Sequence, residues 1–159
     1  MSMPTAVKVT KTDLVDTLNA CIEVCVDAEK AYAHAAADAR YRYLKGLFFT
    51  KAADRKASVV ALQAELVALG ACAGSHGSSA GAVRRDLTKS RLVVEGRSDR
   101  LVVEEWIRAE RCAQSHYEKA LARTPLPTLP TNARMLLQGQ YREIQNSLEM
   151  AQLQLAAMT

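Results

Sequence analysis

Apolar residues return every three or four positions along four long segments of the chain, and polar residues fill the intervals between them. The first stripe is Leu14, Leu18, Ile22, Cys25, Tyr32 and Ala36; the second is Leu44, Phe48, Ala52, Val59, Leu62, Leu66 and Leu69. The third is Val102, Trp106, Ala113 and Tyr117, and the fourth is Leu137, Gln140, Tyr141, Ile144, Leu148, Ala151 and Leu155. A period near 3.6 residues puts each set on one face of a helix, so helices are predicted over about 11–39, 41–69, 99–123 and 133–157. Thr10-Lys11-Thr12-Asp13 has the form of a capping box at the start of the first, and Gly70 stands where the second needs a C-terminal cap. No Gly or Pro separates the first two segments. A single helix through both would run roughly 90 Å at about 1.5 Å per residue, too long for a domain of this size to cover, so a tight turn is predicted near Asp38 to Arg40.

The other connections are longer. Residues 71–79 (ACAGSHGSS) form a Gly- and Ser-rich loop, Ser79 can cap a short amphipathic helix over about 80–94, and Gly96 to Ser98 break the chain again, with Ser98 as the next cap. Pro125, Pro127 and Pro130 exclude helix from the last connector, after which Thr131 or Asn132 caps the fourth helix. Four long helices joined by a tight and then two long connections predict an all-α four-helix bundle of ferritin-like layout, one domain over 1–159, with a short extra helix in the crossover.

Within this frame Val26-Asp27-Ala28-Glu29-Lys30 is echoed by Ile107-Arg108-Ala109-Glu110-Arg111, a weak internal repeat that puts Glu29 and Glu110 on their apolar stripes. A buried carboxylate must be paired, protonated or bound to metal. Arg55 falls on the second stripe, between Ala52 and Val59, where its planar fork can meet carboxylates. The expectation is a buried polar cluster of Glu29, Arg55 and Glu110, with Gln140, Tyr32 and Tyr117 satisfying leftover groups.

Several motifs in order carry a resemblance. Asp27-Ala28-Glu29-Lys30-Ala31-Tyr32 in the first helix, Arg55 with Leu62, Gln63, Glu65 and Leu66 in the second, and Gly77-Ser78-Ser79-Ala80-Gly81-Ala82 in the crossover are three of them. Glu110, Tyr117, Ala120 and Leu121 in the third helix and Gln140-Tyr141 in the fourth complete the set. Together they resemble the bacterial PA2169 type of ferritin-like four-helix-bundle proteins, the DUF2383 domain. The resemblance implies the fold and no defined activity.

A di-iron carboxylate bundle requires a glutamate from each of two helices and Glu-x-x-His from each of the other two. Glu29 and Glu110 could serve, but the second helix has no histidine, and the fourth gives Glu143-Ile144-Gln145-Asn146, with Asn where His is needed. The reading is a metal-free Glu/Arg core in a non-enzymatic protein with a structural or protein-interaction role. The alternative is a degenerate ferritin-like metal-binding protein holding iron, manganese or zinc on Glu29, Glu110 and Glu143.

Composition changes little of this. Hydrophobic residues make up 49% of the chain while Phe and Trp number two and one, so the core must be aliphatic and close-packed. Cys21 and Cys25 lie one turn apart, a spacing able to hold copper(I) but commoner as small core residues; Cys72 and Cys112 add no motif. His34, His76 and His116 have no acidic or nucleophilic partner at a motif spacing, and no phosphate or dinucleotide fingerprint occurs. The segment from Arg84 to Arg100 carries Arg84, Arg85, Lys89, Arg91, Arg97 and Arg100 against Asp86, Glu95 and Asp99. Without interleaved aromatics it reads as a solvated face, and nucleic acid is not the expected partner. No span suits a membrane, the cysteine usage and plain N-terminus suit the cytoplasm, and a homodimer is the expected assembly.

Overall fold

The computed structural model describes residues 8–72, 74, 76–77, 81–83, 85–87 and 98–158. Four long helices, α1 (Lys11–Asp38), α2 (Arg42–Ala68), α3 (Asp99–Arg123) and α4 (Thr131–Ala157), form an all-α bundle, with a 3-10 turn at Leu126–Thr128 in the last connector. The helix α1 packs along α2 and α3, and α3 packs along α4, whereas α2 and α4 approach each other only locally. In the crossover, 81–83 and 85–87 are helical, inside the short helix predicted over 80–94; its other residues and the Ser79 cap lie outside the described residues. No described helix is long and apolar enough to cross a membrane.

Local chemistry explains most boundaries. At the start of α1 the Asp13 N–H donates to Thr10 Oγ1 (3.1 Å) and the Thr10 N–H donates to the Asp13 carboxylate (2.9 Å), the expected capping box. The Thr10 N–H first, and then the Thr10 hydroxyl, which donates to the same carboxylate at 2.8 Å, hold the Asp13 carboxyl below its ordinary range. At the end of α2, Gly70 takes φ +70°, where a Cβ would be strained, and the Gly70 and Ala71 N–H groups donate to the Val67 and Leu66 carbonyls.

Two caps differ from expectation. The helix α4 begins two residues earlier than predicted, at Thr131, with Pro130 in the N-cap position; neither Thr131 nor Asn132 caps it. Ser98 precedes α3 but makes no capping bond. Its neighbour Asp99 instead reaches across to the α1–α2 turn, accepting from the backbone N–H of Arg40 (2.6 Å) and Tyr41 (2.9 Å). The turn lies at the predicted place, between Asp38 and Arg42, and it is held by this buried carboxylate from a different helix. Asp99→Ala would leave the two backbone donors of this part-buried turn without their acceptor. It is expected to cost about 2 kcal/mol, read from urea unfolding; a loss under about 0.5 kcal/mol, within the range of neutral surface changes, would contradict that role.

The buried apolar residues fall into two clusters along the bundle. One gathers Leu18, Ile22, Leu62, Leu66, Tyr117, Leu137 and Ile144, and the other Tyr32, Leu44, Phe48, Val103, Trp106 and Ala151. Position 55 of α2, 110 of α3 and 147 of α4 fall between them, and each carries a buried polar side chain.

Candidate functional site

The polar layer is centred on one ion pair. Arg55 is 5% exposed and Glu110 is 1% exposed, and the Arg55 Nη2 donates to Glu110 Oε1 at 3.0 Å and Oε2 at 3.1 Å. The guanidinium keeps its charge at any pH the fold survives, so an ionised Glu110 is what leaves the layer neutral. Burial works against that ion and pushes the carboxyl up, while a hydrogen bond from Ser147 acts the other way. The nearby guanidinium adds its own stabilisation of the charged form.

Around the pair the aromatic side chains are tied by their polar ends. Ser147 Oγ lies 3.0 Å from Trp106 Nε1, which donates to it, and 3.1 Å from the Tyr32 hydroxyl. Phe48 fills the space beside them, stacked on Tyr32 with ring centres 6.2 Å apart and edge-on to Trp106 at 5.2 Å. Two turns along α3 and α4, the Tyr117 hydroxyl donates to Gln140 Oε1 at 2.8 Å, and Gln140 Nε2 donates to the Ser58 carbonyl at 3.4 Å. Because the tyrosine hydrogen is used on Gln140, the Cys25 thiol, 3.2 Å from the same oxygen, is the donor in that contact. Among the described residues no buried side-chain nitrogen or oxygen lacks a partner.

Between α2 and α4, where those helices diverge, a polar cleft of about 190 Å³ leads down to Arg55. Lys51, Asp54, Glu143, Asn146 and Met150 line its mouth, and Tyr32 and Ser147 lie deeper. Lys51 is held below its ordinary range, by burial first and by Arg55 second, and its Nζ rests over the Trp106 ring at 5.3 Å.

The structure pairs Arg55 with Glu110 and leaves Glu29 out; Tyr32 bonds Ser147 and Tyr117 bonds Gln140, so Tyr32, Tyr117 and Gln140 satisfy neighbouring groups and not the ion pair itself. Glu29 is half-buried and is not a partner of Arg55; Ala28 and Tyr32 fill the inner face of α1 there. The repeat therefore does not carry its geometry from copy to copy: Asp27 is buried where Arg108 is exposed, and Glu29 is half-buried where Glu110 is enclosed. Asp27 has its own role. Arg85 of the crossover donates to its carboxylate at 3.2 Å, and a Cβ added at Gly77 or Gly81 would collide with that carboxylate, so both glycines are what lets the crossover backbone press onto α1.

The remaining candidates are scattered. Glu143 is exposed at the cleft mouth; His34 lines a separate apolar hollow between α1 and α3; His76 is exposed; and His116 bonds the Cys112 carbonyl one turn back on α3. Burial pushes the Cys21 thiol up to about 12 and raises Cys25 as well, so both pack as neutral thiols. Of the basic cluster, Arg85 and Arg100 are described, each with an acidic partner, Asp27 and Glu104; Arg84, Lys89, Arg91 and Arg97 lie outside the described residues.

Sequence reasoning missed Ser147 and Asp99. Ser147 was legible in the 3-and-4 spacing of Leu137, Gln140, Ile144, Ser147 and Ala151, all buried. Asp99 had no signal, since its target lies 58 residues away.

The family described as a domain of unknown function, DUF2383, matches residues 13–123, which includes α1, α2, the crossover and α3. A crystal structure described as ferritin-like, diiron-carboxylate proteins from Bacillus anthracis superposes with a TM-score of 0.68 at 19% identity, covering 91% of this chain and 96% of that one. That likeness shows the ferritin-like fold. No curated protein matches the chain.

A di-iron centre does not fit the side chains present. Its place in such a bundle is the inter-helix layer, which here holds a guanidinium whose partner is Glu110, the most enclosed carboxylate among the described residues. The three histidines lie elsewhere, and no described group of three or more His, Cys, Asp or Glu side chains could hold a metal. A fixed cation beside Glu110 repels a second one and occupies the oxygens it would use.

Proposed function

The chain belongs to the DUF2383 family, and from that premise we propose that it is a non-enzymatic helical bundle, a structural or protein-interaction module with a metal-free Glu/Arg core. The observation that carries this reading is the Arg55–Glu110 pair, which satisfies with an internal cation the carboxylate that a ferritin-like metalloprotein would offer to metal. An ion pair in this position is also a weak source of net stability, because desolvation offsets most of its attraction. Its value is then specificity of packing, which suits a scaffold. Four free cysteines are in keeping with a cytoplasmic protein.

The second reading is a degenerate metal-binding protein using Glu29, Glu110 and Glu143, favoured by the fold shared with a protein described as a diiron-carboxylate one. Elemental analysis of protein purified without chelator separates the two. The expected result is no stoichiometric iron, manganese or zinc. A stoichiometric transition-metal ion that is lost in Glu110→Ala would overturn the metal-free reading.

A further inference from the structure

The helix α2 carries apolar residues on two opposite faces, and the bundle covers only one. Its inner face is Leu44, Phe48, Leu62 and Leu66, all fully enclosed. On the outer face Tyr43, Gly46, Thr50, Ala53, Ala57, Val60, Ala64 and Val67 follow one another at intervals of three, four, three, four, three, four and three, and every one of them is exposed. This is a strict heptad spacing sustained along about 36 Å of helix at about 1.5 Å per residue, the pattern by which one helix recognises another. The face is not merely small: Tyr43 is 66% exposed, Val60 59% and Val67 69%, and Phe49 beside it is 75% exposed. No charged residue interrupts it; Asp54 and Lys56 flank it on opposite sides.

We propose that this outer face of α2 is the contact by which two copies of the chain form a C2 dimer, the two α2 helices running antiparallel. The inference rests on the interaction-module reading and names its partner.

Size and charge favour a second copy in one register. With the two-fold axis between Ala57 and Val60, Val67 meets the partner's Thr50, Val60 meets the partner's Ala57, and Ala53 meets the partner's Ala64. Each valine then faces a small side chain, and the helices can approach closely. In the same register Lys56 lies beside the partner's Gln63 and Asp54 beside the partner's Ala61, so no like charges meet. A slide of one heptad that centres the axis on Arg55 would set Lys56 against the partner's Lys56 and Asp54 against the partner's Asp54, which disfavours it. An isologous contact of this kind closes on itself and stops at two. In this register the two helices overlap over 49–68, just under three heptads, and bury roughly 1,000 Å² in total, the low end of specific interfaces, so the dimer should dissociate in the micromolar range.

Sedimentation of the full chain from low-micromolar to near-millimolar concentration is the test. The expected result is a mass that rises from one chain to two and does not go beyond. Val60→Lys and Val67→Lys, both at exposed positions, should each hold the chain as a monomer with unchanged helical circular dichroism and melting temperature. In a Cys72→Ser background, a mixture of Thr50→Cys and Val67→Cys chains should crosslink with each other, which a parallel pair would not do. A monomer at every concentration, or a dimer that survives both lysine variants, overturns the proposal. So does a monomer that binds lipid vesicles through the same residues. None of these results depends on metal content, so failure here and failure of the metal-free reading are told apart.

Discussion

Arg55→Ala is expected to destabilise the protein by about 3–5 kcal/mol at neutral pH, the loss typical when one partner of a buried ion pair is removed. The substitution leaves Glu110 enclosed with Ser147 as its remaining polar support and without a countercharge. Burial pushes this carboxyl up, and without the guanidinium only the Ser147 hydrogen bond opposes it. The folded variant therefore takes up a proton that the unfolded chain, with a carboxyl near 4.5, does not hold at neutral pH. A carboxyl whose folded pKa is raised contributes stability that is fully present below the unfolded value and is lost as pH rises through the folded one. Arg55→Ala should accordingly be most stable near pH 5 and weaken steadily toward pH 8 and above, as followed by urea unfolding across that window. Arg55→Met restores volume without charge and should keep the same slope, and adding Glu110→Gln to it should flatten the slope. A cost under about 1 kcal/mol, or a slope that survives Glu110→Gln, would show that the pair does not organise the core.

Phe48→Ala is expected to cost a further order of the same size, about 3–5 kcal/mol. Phe48 is fully enclosed and touches both Tyr32 and Trp106, the two side chains that meet at Ser147. Removing the ring opens a cavity beside the polar layer and frees both aromatics to reorient. Since Trp106 is the one tryptophan of the chain, its emission reports the site directly and should shift to the red. Phe48→Leu, which keeps most of the volume, should lose far less. Because Phe48 and Ser147 act on the same two rings, the double variant Phe48→Ala, Ser147→Ala should cost less than the two single losses together. Additive losses would mean that the aromatic group and the hydroxyl are independent.

The helices were legible because their stripes are long and their ends are written in short-range chemistry, such as Thr10 with Asp13 and Gly70 after Leu69. Arg55 and Glu110 were legible for the same reason, each being a charged residue at a buried stripe position. Glu29 looked equivalent because a stripe that passes Cys25 and Tyr32 can cross its intermediate turn at 28 or at 29, and spacing alone does not choose. Packing chose Ala28, the residue whose burial needs no partner. Asp27, two places away, lies off the stripe; its burial depends on Gly77, Gly81 and Arg85, which only the folded crossover brings to it. Asp99 is the extreme case, a cap written 58 residues from the helix it caps.

The Arg55–Glu110 pair also bears on how the chain assembles. Each half of the protein is a helical hairpin, α1 with α2 across a tight turn and α3 with α4 across the proline-bearing connector, and each is able to form from local contacts. The cation belongs to the first hairpin and the anion to the second. Before docking, the first hairpin presents Arg55 and the second presents Glu110 on the flanks that meet. Two first hairpins from different chains would bring arginine against arginine, and two second hairpins would bring glutamate against glutamate; only the mixed pair buries neutral charge. In a protein whose halves share a layout, the pair thus acts as an address, directing each half to the other and turning away its own kind during folding at high local concentration.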